Sequence, residues 1–272
     1  MCLNYSSLSI TKINLGAEMN LVGFGYSHIT AVQFASMMLK NDDISISTTL
    51  LNAPSLPKIF TNNDYDCIQF TENFGEYIYD STTNADVIFL CVAGNAHQIF
   101  SLVNHPTPFD FVLEDEPDLP LQPYYETVPY SLVAESLKAQ GGYPESIRML
   151  RAFNKFFINK KIVQCALPPV IPSEMHIREY AGQFKEMIEK YGITPEIIRY
   201  KHWRLHSKLI GIECNNLGIQ YLPVPSSMID EQGFLERKAW NLDCTHANQY
   251  YGLELIQQLV NLESPSFSIL ES

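Results

Sequence analysis

The chain has 272 residues, of which 46% are hydrophobic, 12% aromatic and 18% charged, enough apolar side chain for a substantial core and too few charges for a disordered chain. A formal net charge of −12 makes the average surface repel phosphate backbones and anionic headgroups. This argues against nucleic acid as a partner and favours neutral or cationic ligands.

Residues 1 to 18 are polar and aperiodic and read as an N-terminal extension. Asn20 to Gly25 is an apolar run ended by glycines, a buried strand entering a tight turn. From His28 to Lys40 the apolar residues approximate helical spacing, and Asn41-Asp42-Asp43 stops the helix. Ile44 to Leu51 is β-branched and predicts a strand, and a further short strand is expected over Cys67 to Phe70. Val87 to Val92 is continuously apolar, as a parallel strand covered on both faces must be, and ends at Ala93-Gly94-Asn95. Residues 104 to 130 carry six prolines and the acidic cluster Glu114, Asp115, Glu116, Asp118, which predicts a long surface insertion. Helical periodicity resumes over Val133 to Phe157, and Lys161 to Leu167 is a strand closed by Pro168-Pro169. Helical stretches over Glu174 to Tyr191 and Pro195 to Leu217 lead to a short strand at Gly218 to Pro223, and a last helix runs from Asn248 to Asn261.

Strands alternating with helices predict an α/β fold, a mostly parallel sheet flanked on both faces, which binds ligands at the carboxyl ends of its strands. The loops to inspect are therefore 23–28, 93–97, 168–173 and 223–246. Ser27 follows the first strand and precedes its helix, where a backbone N–H favours an anion. A serine at a helix start is most often only a cap, so Ser27 needs partners. Asp243-Cys244-Thr245-His246 supplies them: a carboxylate three residues before an imidazole can accept its Nδ1 proton within one local turn, leaving Nε2 free for a serine proton. Asn95 has an amide that could donate to an oxyanion beside the Ser27 N–H, although Gly-Asn is also a common turn. Gly75 is a candidate backbone donor from an intervening loop.

In this order Gly25-Tyr26-Ser27-His28, a mid-chain glycine, Gly94-Asn95-Ala96-His97 and Asp243-x-x-His246 resemble the four blocks of the SGNH/GDSL hydrolase superfamily. His105 to Val112, Lys201 to His206 and Asp243 to Asn248 are also similar to bacterial members of that superfamily whose substrate is unassigned. The resemblance implies a three-layer α/β/α fold, flavodoxin-like in outline, as one domain over 19–272. It implies no obligatory metal or organic cofactor. Ser27 maps to the nucleophile, His246 and Asp243 to base and acid, and Ser27, Asn95 and Gly75 to the oxyanion hole. Tyr26 departs from the pattern, because the superfamily commonly has Asp before the serine. The activity implied is esterase or acyl hydrolase, acting on a small-molecule or glycan ester such as a carbohydrate O-acetyl group. An acyltransferase using a glycan hydroxyl and a catalytically silent binding protein are the alternatives.

Two other patterns are weaker. Gly23-x-Gly25-x-x-His28 resembles a dinucleotide-binding turn, with Asp42 and Asp43 near the place of a ribose-binding acid, but the third glycine is His28. His202 and His206 stand four apart, but the intervening glutamate of a metalloprotease helix is absent; one or both are expected on a helix surface with Trp203 packed inward. No metal is assigned. The six cysteines are scattered without a C-x-x-C pair and read as buried reduced thiols. The first twenty residues lack a basic segment followed by an apolar stretch, and no later run could span a bilayer, so the expectation is a cytoplasmic protein without membrane insertion.

Overall fold

The computed structural model describes residues 18–39, 43–139 and 142–262; the expected N-terminal extension, apart from Glu18, and the Asn41-Asp42 part of the helix stop lie outside these residues. Strand β1 (Met19–Gly25), helix α1 (Ile29–Met38) and strand β2 (Ile44–Leu50) form the opening unit. Helix α2 (Glu72–Thr82) leads to β3 (Val87–Cys91) and α3 (Ala96–Ser101). The insertion holds a two-residue pair, β4 (Phe109–Asp110) and β5 (Glu126–Thr127). It is followed by α4 (Tyr130–Ala139), α5 (Tyr143–Phe156) and β6 (Ile162–Cys165). Then come α6 (Glu174–Glu179), α7 (Lys185–Tyr191), α8 (Glu196–Leu217), β7 (Gln220–Leu222) and α9 (Gln249–Asn261).

Five strands make one parallel sheet in the order β2-β1-β3-β6-β7. All five residues of β3 are buried, and alternate ones face opposite layers. Ile88 and Leu90 join a core with Phe74 and Ile78 of α2, Val133 and Leu137 of α4, Leu150 and Phe153 of α5, and Leu205 and Leu209 of α8. Val87, Phe89 and Cys91 join another with Ile29 and Val32 of α1 and Leu255 and Ile256 of α9. The result is the three-layer α/β/α arrangement. The chain leaves β1 toward β2 on one side and returns to β3 on the other, so the crevice between β1 and β3 is the topological switch point where open parallel sheets take ligands.

Helices α1 and α9 lie side by side on one face, and Gly252 sets their separation: a Cβ there would overlap the Ala31 carbonyl. This close approach ties the segment after β1 to the segment before α9, although they are at opposite ends of the sequence.

Several expectations are corrected. Cys67 to Phe70 is not a strand; only Phe70 pairs, in an isolated bridge with Phe60, because Thr71 already caps α2 by accepting the Phe74 N–H. The single helical stretch over Val133 to Phe157 is two helices, divided before Gly142, which takes a left-handed φ of 83° just ahead of Pro144. Between Glu174 and Tyr191 two short helices flank a 3₁₀ turn at Gly182–Phe184. The insertion is more than a surface loop, for Phe111 and Leu113 enter the core and Lys201 of α8 donates to both carboxylate oxygens of Asp110 and to the Pro120 carbonyl. Arg204 and Tyr200 bind Glu116, and Lys208 binds Asp115, so much of the acidic cluster is held against α8. Among the described residues, no helix is long and apolar enough to cross a membrane.

Candidate active site

Ser27 sits in the turn between β1 and α1, at the carboxyl edge of the sheet and the switch point. Tyr26 N–H donates to the Cys91 carbonyl (3.1 Å), extending the β1–β3 pairing into the turn, and Thr30 donates its hydroxyl to the Ser27 carbonyl (2.6 Å). Ser27 is not the helix cap. His28 holds that place, without a side-chain cap bond, and the Ser27 hydroxyl points elsewhere. Tyr26 donates its hydroxyl to Glu145 of α5 at 3.2 Å, which holds the turn from the other face of the sheet.

The partner of Ser27 is His246. Their Oγ and Nε2 are 2.7 Å apart, across 219 positions of sequence. On the other side of the ring, Nδ1 is 3.1 Å from Asp243 Oδ2 and 3.0 Å from the Thr245 hydroxyl. Asp243 is locked by its own local turn: Oδ1 accepts the Thr245 and His246 N–H groups at 2.8 and 2.7 Å, and Oδ2 accepts the Asn241 amide at 2.8 Å. Burial pushes the Asp243 carboxyl up. The His246 bond and charge and the two backbone donors outweigh that and hold it well below the usual carboxylate range. An ionised Asp243 then requires the proton on Nδ1, so Nε2 is the lone pair that faces the Ser27 hydroxyl.

The loop carrying this turn is itself fixed. Asn248 caps α9 by accepting the Tyr250 N–H, and its amide donates to the Lys238 and Trp240 carbonyls at 2.9 Å each. His176, packed against Tyr180 and Trp240, donates from Nε2 to the Asn241 and Asp243 carbonyls at 2.9 and 3.1 Å. His28 lies against the His246 ring, with centroids 4.9 Å apart, and its Nε2 is 3.3 Å from Asn95 Oδ1. Burial, then the charge of His246, lowers the His28 pKa to about 3, so this imidazole is neutral at ordinary pH. The sequence reading missed His28, His176 and Gly252. The only signal for His28 was its place directly after a candidate nucleophile; the other two act through contacts far away in the chain.

Ser27, Asp243, His246 and Asn95 thus belong to one neighbourhood, whereas Gly75 does not qualify. Gly75 lies inside α2 and spends its N–H on the Thr71 carbonyl at 2.9 Å, so it has no free donor. The Ser27 N–H has no acceptor among the described residues, which leaves it available for an anion. Gly23 has a packing reason rather than a phosphate-binding one, since a Cβ there would overlap the Phe89 ring.

His202 and His206 are not on a helix surface. Both are buried, as is Trp203, because the stretch of α8 from Ile198 to His206 is covered on nearly every side. His202 donates Nδ1–H to the Ile198 carbonyl amid Phe100, Phe109 and Phe111, while His206 meets His97 through their Nδ1 atoms at 3.0 Å. Their ring nitrogens have diverging partners. Among the described residues no group of three His, Cys, Asp or Glu side chains is arranged to hold a metal.

The molecule is an α/β protein with a hydrogen-bonded Asp-His-Ser chain at the switch point of a parallel sheet. No protein-family model matches this chain, and no curated protein does. Solved structures share its outline. It is similar to a GDSL-like lipase from Bacteroides thetaiotaomicron (8% identity, TM-score 0.41, covering 92% of this chain and 89% of that one). It is also similar to the periplasmic domain of a lipopolysaccharide acetyltransferase from Salmonella ser. Paratyphi A (14%, TM-score 0.41, 91% and 84%). An acetylxylan esterase from Geobacillus stearothermophilus gives 8% identity and a TM-score of 0.37, over 91% and 94% of the two chains. At such distances the likeness is one of outline, and what the site does has to be read from this chain's own side chains.

Proposed function

We propose that this protein is a serine esterase or acyl hydrolase of the SGNH/GDSL type, with Ser27 as nucleophile, His246 as general base and acid, and Asp243 as the partner of the imidazole. In this reading Ser27 Oγ attacks the ester carbonyl as its proton passes to His246 Nε2. Asp243 stabilises the imidazolium. The tetrahedral oxyanion is bound by the Ser27 N–H and the Asn95 amide, a donor worth about 10²–10³ in rate in comparable sites. His246 then protonates the departing alcohol, leaving an acyl-enzyme at Ser27. Water attacks that ester with His246 again as base, and the acid is released.

The observation that carries the reading is the 2.7 Å approach of His246 Nε2 to Ser27 Oγ, joined on the far side to a strongly acidic Asp243. A hydroxyl, an imidazole and a carboxylate in series serve acyl transfer and have little purpose as a surface contact. The substrate class proposed is a small acyl ester, foremost the O-acetyl group of a carbohydrate.

The test is a screen of short-chain acyl esters and O-acetylated sugars, run with the wild-type protein and with Ser27→Ala. Hydrolysis by the wild type and a loss of at least about 10⁴-fold in the variant are expected. A rate unaffected by Ser27→Ala, or no turnover of any ester, would overturn the proposal. Adding a glycan acceptor and following the acyl group tells water from a sugar hydroxyl as second nucleophile.

A further inference from the structure

We infer that His28 is a positioning residue of this site: its Nε2–H holds the side-chain oxygen of Asn95, so that the amide NH₂ is the end left for the oxyanion. The inference rests on the function proposed above.

An asparagine amide has a donor end and an acceptor end of almost the same shape. Only the donor stabilises an oxyanion, and the oxygen in its place would repel one, so something must decide which end faces the reacting carbonyl. The fold around Asn95 does not decide it. Asn95 stands at the start of α3, yet its side chain makes no cap bond there. Its side-chain partner is His28, at 3.3 Å between Nε2 and Oδ1. His28 is well placed for this, because it opens α1 directly after Ser27 and its ring lies against that of His246. The nucleophile turn, the general base and the amide are therefore joined through one imidazole.

The protonation of His28 fits the role. A neutral imidazole has one N–H, and to meet a carbonyl-type oxygen that proton must be on Nε2. Burial and the nearby His246 keep it neutral. Neutrality also suits the reaction, since a second positive ring at 4.9 Å would oppose the imidazolium that forms on His246.

The experiment is a double-mutant cycle in the ester assay, with His28→Ala, His28→Gln, Asn95→Ala and the double alanine variant. His28→Ala is expected to lower kcat by about 10- to 100-fold with KM within about threefold, the signature of an interaction made in the transition state. His28→Gln, whose amide can donate to Asn95, recovers most of that loss. In the Asn95→Ala background, removing His28 costs several-fold less than it does in the wild type, because its route through the amide is already gone. Losses that multiply, or a His28→Gln no better than His28→Ala, would overturn the inference. Independently of any variant, the ¹⁵N resonances of His28 in the wild-type protein at pH 7 are expected to report the Nε2–H tautomer, and the Nδ1–H tautomer or a charged ring contradicts it. A Ser27→Ala protein that keeps the wild-type rate removes the proposed function and this inference together. Loss of rate in Ser27→Ala alongside multiplying His28 and Asn95 effects removes this inference alone.

Discussion

Two carboxylates of the molecule, Asp110 and Asp243, are held by similar means and put to opposite ends. Asp110 accepts the Phe111 and Gln122 N–H groups and two bonds from Lys201, and both side chains of the ion pair are fully sealed from solvent. Asp243 likewise accepts two backbone N–H groups and the Nδ1–H of His246, but its side chain is 35% exposed and that of His246 22%. The sealed pair has no reactive lone pair left, because each oxygen and the ammonium are taken up by the insertion and α8. The open pair ends on a ring nitrogen that faces a hydroxyl. A buried charge with every bond spent fixes a fold; a similar network, half open and ending on an unspent lone pair, can move a proton.

Four perturbations test this contrast. The largest effect belongs to the open pair: Asp243→Asn should lower kcat by about 10³–10⁴ and His246→Ala by more, with thermal stability little changed, as ester hydrolysis and melting curves will report. A loss of stability with retained activity would reverse the contrast.

Next is acid. Burial, with neighbouring histidines contributing for His97 and His28, depresses the folded-state pKa values to about 3 for His206 and His28, about 4 for His202, and well below the ordinary value for His97. The unfolded chain takes up these protons below about pH 6.5 and the folded one does not, so the stability is complete above that pH and is lost as pH falls toward the folded values. Each such histidine contributes a slope of at most about 1.4 kcal/mol per pH unit. Denaturant midpoints should therefore drop steeply from pH 6.5 to 4.5; a flat profile contradicts the buried neutral rings.

Third, Lys201→Met leaves Asp110 buried without its cation and should destabilise the fold by about 3–5 kcal/mol, read from denaturant titration, while the folded fraction keeps the wild-type kcat. Smallest is Gly252→Ala. The added methyl meets the Ala31 carbonyl, so α9 must shift on α1, at an expected cost of about 1–3 kcal/mol and with kcat reduced, since these helices carry the two sides of the Ser27–His246 bond.

What the sequence made legible was local. Val87 to Cys91 reads as a buried parallel strand because it is apolar throughout, and Asp243-x-x-His246 reads as a self-contained turn because its bonds close within four residues. Ser27 and Asn95 stand out as candidates by their places after strands. What failed depended on distant partners or on a missed boundary. Thr71 begins α2 and turns Gly75 from a loop donor into a helix residue; its cap, with Phe74 and Ile78 four apart, was the signal available. Helix α8 carries charges around its whole circumference and so resembles a surface helix, yet Lys201 is sealed by Asp110, 91 positions away, and Arg199 by the carbonyls of Thr194, Ile171 and Pro172. No periodicity announces such partners. The contact of His28 with His246 and Asn95 was invisible for the same reason.

Acyl transfer at this site requires an activated hydroxyl at Ser27. Treating the protein with a fluorophosphonate and mapping the adduct by peptide mass spectrometry tests that without any knowledge of the natural ester. A single stoichiometric adduct on Ser27, abolished in His246→Ala, is the predicted result; an unmodified Ser27, or an adduct on a different residue, contradicts it.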